Sequence, residues 1–197
     1  MHDATRLPSE GKARVLLEAG DIERALTRIA YEILETNKGS DDLVLLGILS
    51  RGFPLAQRLA QKIAKTDSSF DLSASLGQLD ITPFRDDTPS KSDPASALTQ
   101  LPASGIEGKR VVLVDDVLYS GRTVRAALDA LAFYGRPSYV RLAVLIDRGH
   151  RQLPIRADHV GKNLPTSASE TVEVLLQDMD GVSDRVLITS PSTNPAI

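Results

Sequence analysis

The sequence predicts an α/β domain: a central, mostly parallel sheet flanked by helices. Three observations predict it. Leu43–Leu49 (LVLLGIL), Arg110–Asp115 (RVVLVD) and Val140–Ile146 (VRLAVLI) are apolar runs of strand length without alternation, as in strands buried on both faces. Stretches with the helical period lie between them. The second run ends in a polar, glycine-bearing loop that opens onto a helix, where open parallel sheets bind their ligands.

Residues 1–14 read as a short polar tail. The first helix is Asp21–Asn37, where Ile22, Ala25, Leu26, Ile29, Ala30, Ile33 and Leu34 form one stripe, Asp21 caps and Gly39 stops it. Leu43–Leu49 follows, then the loop Ser50-Arg51-Gly52 and a helix over Pro54–Ala64 with Leu55, Leu59 and Ile63 on one face. Leu76–Thr82 reads as a strand. Asp86–Gly108 breaks the rhythm: 23 residues with Pro89, Pro94 and Pro102 and little periodicity, which makes a lid or a disordered connection. Thr123–Phe133 is a helix, Val172–Leu176 and Arg185–Thr189 are shorter strand candidates, and 190–197 is a second tail. The domain is expected to span 15–189, with 86–108 as a flexible loop.

The chain has 197 residues, 42% apolar and 25% charged, enough to bury a core without staples. It has no cysteine, which excludes disulfides, thiolate nucleophiles and cysteine metal sites. His2, His150 and His159 are too widely spaced for a zinc cluster. The apolar runs are too short to cross a bilayer, and the first 14 residues lack the apolar centre of a signal peptide. A cytoplasmic protein is expected, with no membrane partner. Net charge is −3, yet Arg136–Lys162 holds six basic and two acidic residues, a local +4. Arginine outnumbers lysine 16 to 7, and arginine suits bidentate phosphate contacts.

The strongest chemical signal is Val111–Val124, VVLVDDVLYSGRTV. A helix N-terminus offers free N–H groups and a positive dipole end to a phosphate. Gly121 lets the backbone come close, and Ser120 and Thr123 add hydroxyl donors. Asp115 and Asp116 repel phosphate, so they suit sugar hydroxyls or a nearby positive charge. Two acids after a strand are by themselves more often solvated charges. The completed spacing D-D-x-x-x-S-G-x-T favours a ligand with a phosphate at one end and a polyol beside it. No lysine-bearing P-loop and no G-x-G-x-x-G after a strand occurs.

VVLVDDVLYSGRTV resembles the diphosphoribose-binding signature of type I phosphoribosyltransferases. LLGILSRG, LDITPFRDD, VDDVLYSGRTVRAALDAL and LAVLIDRGHRQLPIRADHVGKNLPTS, in that order, are similar to the bifunctional pyrimidine operon attenuation regulators and uracil phosphoribosyltransferases, the PyrR family. The resemblance runs from about Leu26 to about Leu176. It implies the type I phosphoribosyltransferase fold, with a small hood built from the chain ends. It implies that Asp115 and Asp116 hold the ribose hydroxyls of phosphoribosyl pyrophosphate and that Ser120, Gly121, Arg122 and Thr123 hold its 5-phosphate, with Val117, Leu118 and Tyr119 in the same loop. Ser50 and Arg51 belong to the pyrophosphate loop, Arg85 to a mobile arm, and Arg148 and Val172 contact uracil. No side-chain metal site is implied. Mg²⁺ arrives with the phosphoribosyl pyrophosphate.

The same resemblance implies a pyrimidine-operon mRNA stem-loop as partner, bound through Thr27, Arg28, Arg151, Arg156 and Lys162 and controlled by UMP. Tyr31 and Thr36 depart from the family, whose members often carry His and Arg there. A homo-oligomer, dimer or tetramer, is expected. Two other readings stay open: an RNA-binding regulator whose old site only senses nucleotides, and a transferase for another base without an RNA role.

Overall fold

The computed structural model describes residues 13–86 and 98–191. In chain order the elements are β1 (Ala13–Glu18), α1 (Ala19–Asn37), β2 (Leu43–Ile48), α2 (Gly52–Thr66), α3 (Leu72–Ser75), β3 (Leu76–Leu79), a 3-10 turn (Thr82–Phe84), β4 (Arg110–Leu118), α4 (Arg122–Tyr134), β5 (Tyr139–Asp147), β6 (His159–Asn163), β7 (Thr171–Leu175), α5 (Gln177–Asp180) and β8 (Arg185–Thr189). Five strands form one sheet in the order β3-β2-β4-β5-β6, each pair parallel. Every residue of β2 is buried. Alternate side chains pack on opposite faces: Leu43, Leu45, Val112, Val114 and Leu145 against α1 and α2, and Val44, Leu46, Val111, Leu113 and Val144 against α4. Each such burial is worth roughly 1.5–3 kcal/mol relative to exposure. Among the described residues no helix is long and apolar enough to cross a membrane.

α1 starts two residues earlier than the sequence stripe indicates. Asp21 sits inside the first turn, where its Oδ2 accepts the Glu18 N–H at 3.0 Å. The helix stops as predicted: Lys38 turns left-handed (φ 60°), Gly39 follows at φ 105°, and the Gly39 N–H closes on Leu34 O at 2.9 Å.

A second sheet, antiparallel and ordered β1-β8-β7, is built from the two chain ends. It forms the hood. Ala13 and Arg14, assigned to the tail by sequence, belong to its first strand and pair with Thr189 and Ile188; residues 1–12 lie outside the described residues, as do 192–197. β1 hides from a pattern search because most of it is exposed and only Leu17 is buried. β6 (HVGKN) hides for lack of any apolar run.

The strand predicted over Leu76–Thr82 ends at Leu79. Asp80 turns the chain by accepting the Thr82 N–H at 2.9 Å, and Pro83 lies in the 3-10 turn that follows. Of the connection predicted as flexible over 86–108, residues 87–97 lie outside the described residues. The remainder is anchored. Leu98 N–H donates to Asp80 Oδ2 at 3.0 Å, Gln100 exchanges both backbone bonds with Gln78 at 2.9 and 3.0 Å, and Ile106 is buried.

Two glycines press the corner after β2 onto the sheet. A Cβ on Gly52 would lie 2.3 Å from Val114 O, and one on Gly47 would lie 2.3 Å from Phe53 Cα. Both contacts are with backbone, which has little room to move. Gly52→Ala is therefore expected to destabilise the fold by about 1–3 kcal/mol, a loss of about 2–4 °C in Tm per kcal/mol. Thermal unfolding by circular dichroism measures it.

Candidate active site

The parallel sheet brings the carboxyl ends of β2, β4 and β5 to one edge. Asp115 and Asp116 stand at the end of β4, Asp115 buried and Asp116 partly exposed. Asp115 Oδ1 accepts the Asp116 N–H at 2.9 Å, and Asp116 Oδ1 accepts the Val117 N–H at 2.8 Å. Burial raises both carboxyls above the ordinary range, and the charge of Asp116 pushes Asp115 further up. Arg85 opposes the shift at Asp115, and Arg51 opposes it at Asp116.

Beyond them the chain makes a tight loop into α4. Gly121 takes φ 92°, a left-handed conformation that favours glycine, with the side chains of Leu153 and Ile155 3.4 Å from its Cβ position. The loop is braced from β5's far side: Leu118 O accepts from Arg148 N at 3.1 Å, Tyr119 O from Arg151 Nη1 at 3.0 Å, and Ser120 O from Gln152 N and Leu153 N at 3.0 and 3.1 Å. Arg85, Asp115, Val117, Leu118, Tyr119, Ser120, Gly121, Arg122 and Thr123 line one cavity of about 260 Å³. The structure thus brings Asp115, the α4 N-terminus and Arg85 to one cavity; Asp116 is not among its lining residues. Asp86, beside Arg85, accepts from Arg122 and Arg125 of α4 at 2.7 and 3.0 Å, which ties the root of the arm to the phosphate-type loop.

Other predicted site residues lie elsewhere. Arg51 turns away to the hood: its Nε donates to Val174 O at 2.7 Å and its Nη2 to Asp180 Oδ1 at 2.8 Å. Arg148 is buried and donates to Thr166 Oγ1, Ser167 O and Glu170 O at 3.2, 3.3 and 2.6 Å, while its guanidinium stacks 4.2 Å from the Tyr119 ring centre. It holds the segment leading to Val172 against the loop after β4.

Of the outer basic set, Arg151 is turned inward. It spends its donors on Asp147, Tyr119 O, Gly149 O and Ile155 O. Arg156 and Lys162 are exposed. Arg28 donates to Val160 O and Gly161 O at 2.9 and 2.5 Å, which joins α1 to β6, the strand of Lys162. Thr27, Arg28 and Tyr31 line a wider hollow of about 530 Å³ on the outer face of α1, while Thr36 bonds back to Glu32 O. His159 is buried, not part of the surface: burial lowers its pKa, and its Nδ1 lies 3.6 Å from Glu32.

The family model for the phosphoribosyl transferase domain matches residues 14–177. The bifunctional protein PyrR of Streptomyces coelicolor is 56% identical over 184 residues, 93% of each chain. The chain belongs to the phosphoribosyl transferase family and, within it, to the PyrR proteins. The PyrR protein of Enterococcus faecalis is 52% identical over 88% of this chain and 95% of its own. That of Listeria welshimeri is 54% identical over 90% and 97%. Among solved structures, the hypoxanthine phosphoribosyltransferase of Trypanosoma cruzi superposes with a TM-score of 0.64 at 19% identity over 91% of this chain and 97% of its own. At that identity the likeness speaks for the phosphoribosyl transferase fold alone.

Sequence reasoning missed the partners that position this PyrR site. Asp180 and Val174 hold Arg51, Asp147 holds Arg151, and Asp86 ties the arm to α4. The three acids of QDMDGVSD were the available signal for the first of these.

Because folding raises the Asp115 pKa, ionised Asp115 costs stability. The loss accumulates as pH rises from the ordinary carboxylate value through the raised one. Asp115→Asn keeps the acceptor for the Asp116 N–H and removes the charge. It is expected to raise Tm at pH 8, by about 2–4 °C per kcal/mol recovered, with the advantage shrinking toward pH 4. Paired melts of the two proteins across that range check the sign.

Proposed function

We propose that this chain transfers the phosphoribosyl group of phosphoribosyl pyrophosphate to uracil, giving UMP and pyrophosphate, and that it binds a pyrimidine-operon mRNA stem-loop under the control of UMP. The observation that carries the first half is the single cavity holding Asp115, the Gly121 helix N-terminus and Arg85. The 52–56% identity to bifunctional PyrR proteins supports both halves.

In this reading the loop Ser120–Thr123 and the α4 N-terminus take the 5-phosphate, and Asp115 and Asp116 accept from the ribose hydroxyls. The ring nitrogen of uracil attacks the anomeric carbon. A carbon–nitrogen bond forms, the carbon–oxygen bond breaks, and its electron pair leaves with pyrophosphate. The nitrogen's proton is lost to solvent. The sugar is cationic in the transition state, so the two carboxylates stabilise it and Arg85 faces the departing anion. The adjacent carboxyls of Asp115, buried, and Asp116, partly exposed, fit a hard divalent cation and would hold it if it bound there. Mg²⁺ bound with phosphoribosyl pyrophosphate supplies charge neutralisation of the leaving group. The protein acts in the cytoplasm as a homodimer or homotetramer.

Initial rates with uracil, hypoxanthine and orotate test the transfer, and only uracil is expected to react. Asp116→Asn should keep the fold and lose about 100- to 1,000-fold in turnover; near-normal turnover would remove the role given to that acid.

For RNA, the exposed pair Arg156 and Lys162 is the one to test, since Arg151 is engaged within the protein. Arg156→Ala or Lys162→Ala should weaken binding to a pyrimidine-operon leader RNA. The slope of log affinity against log salt should flatten by roughly 0.7–0.9 for each phosphate that the variant no longer neutralises. Uracil turnover should be unchanged. Gel shifts over a salt series, with and without UMP, are the measurement; unaltered RNA affinity in both variants excludes this face.

A further inference from the structure

Beneath the hood lies a set of charged side chains that the transfer reaction, as described, leaves unused. α2 points two arginines at the turn that follows β7. Arg51, at the head of the helix, donates to Val174 O at 2.7 Å and to Asp180 Oδ1 at 2.8 Å. The other oxygen of Asp180 accepts the Leu176 N–H at 2.8 Å. Seven residues on, Arg58 grips both oxygens of Asp184 and reaches Asp178 Oδ2 at 2.8 Å. Asp184 in turn accepts the Gln177 N–H at 2.8 Å.

The two latches are built alike but sit differently. Among the described residues Arg58 bonds to Asp178 and Asp184 of the hood, whereas Arg51 lies in the loop after β2, next to Gly52, whose Cβ position is 3.3 Å from Asp115 Cα. Both latches are sheltered: the Arg51 and Asp180 side chains are 28% and 21% exposed and those of Arg58 and Asp184 19% and 15%, while Asp178 at 64% is the outlying partner. A charge-assisted bond sheltered to that degree holds a guanidinium in one orientation more firmly than a surface pair does. Arginine is suited to this, because its planar fork serves a carbonyl and a carboxylate at once.

We propose that Asp180 is a positioning residue for the transfer reaction. It fixes the Arg51 guanidinium against hood strand β7, so that one side chain sets both the seat of the hood over the strand ends and the cation of the pyrophosphate loop. The proposal rests on the reading of Ser50-Arg51-Gly52 as that loop. It gives the two latches different roles: the Arg58 pair fastens the hood, and the Arg51 pair fastens it and tunes the site.

The experiment compares wild type, Asp180→Asn, Asp180→Glu, Asp178→Asn, Arg51→Lys and the double variant Arg51→Lys/Asp180→Asn. Three quantities are read: Tm, calorimetric affinity for phosphoribosyl pyrophosphate with Mg²⁺, and kcat and KM for uracil transfer. Asp180→Asn is expected to weaken phosphoribosyl pyrophosphate binding and raise its KM about tenfold while kcat falls far less. Asp180→Glu should recover part of the loss, and Asp178→Asn should behave as wild type. The double variant should bind no worse than Arg51→Lys, because both substitutions remove one interaction. Unchanged affinity and KM in Asp180→Asn, a loss seen only in Tm, or additive losses in the double variant overturns the proposal. A wild-type chain that binds no phosphoribosyl pyrophosphate overturns the pyrophosphate-loop reading itself.

Discussion

Placing two adjacent carboxylates, Asp115 buried and Asp116 partly exposed, at the end of the central strand costs free energy, and much of the structure is organised around that cost. Asp115 and Asp116 sit where β4, the middle of five parallel strands, delivers its end to the shared edge. Their pKa values rise because water has been taken away, and Asp115 rises further because the charge of Asp116 faces it. In the proposed reaction that cost has a return: charge already desolvated and fixed would need little reorganisation when a cationic sugar forms beside it. A site optimised for stability would place apolar or amide side chains here.

That cost explains the neighbours. The phosphate-type loop directly after the acids must be rigid without help from a hydrophobic side chain, since Gly121 has none. Its rigidity comes from main-chain carbonyls of Leu118, Tyr119 and Ser120 that accept bonds from residues 148–153. Asp147, at the end of the neighbouring strand and in register with Leu118, anchors Arg151 for the same purpose. The arm is steadied likewise, by Asp86 against two arginines of α4. Ionic and carbonyl contacts thus steady the loop and the arm root that line the cavity, while Leu153 and Ile155 touch the loop with apolar surface.

The parallel sheet was legible in the sequence because β2, β4 and β5 are buried on both faces and read as unbroken apolar runs. The acids and the loop after β4 were legible for a similar reason: motif, strand end and helix start are contiguous. What escaped is what depends on distant partners. β1 is too exposed and β6 too polar to announce themselves, and each is a strand only because β8 or β5 lies alongside. The arginine excess misled in an instructive way. Bidentate donors suit phosphates, but Arg28, Arg51, Arg148 and Arg151 spend their forks on main-chain carbonyls, and Arg110 does the same with Asn37 O. A local surplus of +4 in sequence is therefore a smaller surplus on the surface, concentrated at residues such as Arg156 and Lys162.

The hood shows why ionic latches are needed at all. Its sheet pairs residues near 13 with residues near 189, so it closes a loop nearly as long as the chain. The entropy cost of such closure grows only logarithmically with length, but a three-stranded sheet has few buried apolar side chains to set against it. Leu17, Val174, Leu176, Val186 and Ile188 are buried in the hood, and most of them merge with the core of α1 and α2. Apolar contact of this kind resists separation but tolerates sliding, because Leu and Val present similar surfaces over several ångströms. Directional bonds from Arg51 and Arg58 remove that freedom. Arg51 bonds to β7 itself at Val174 O, and Arg58 holds Asp178 and Asp184 of the turn that follows, which fixes the register of the hood over the strand ends.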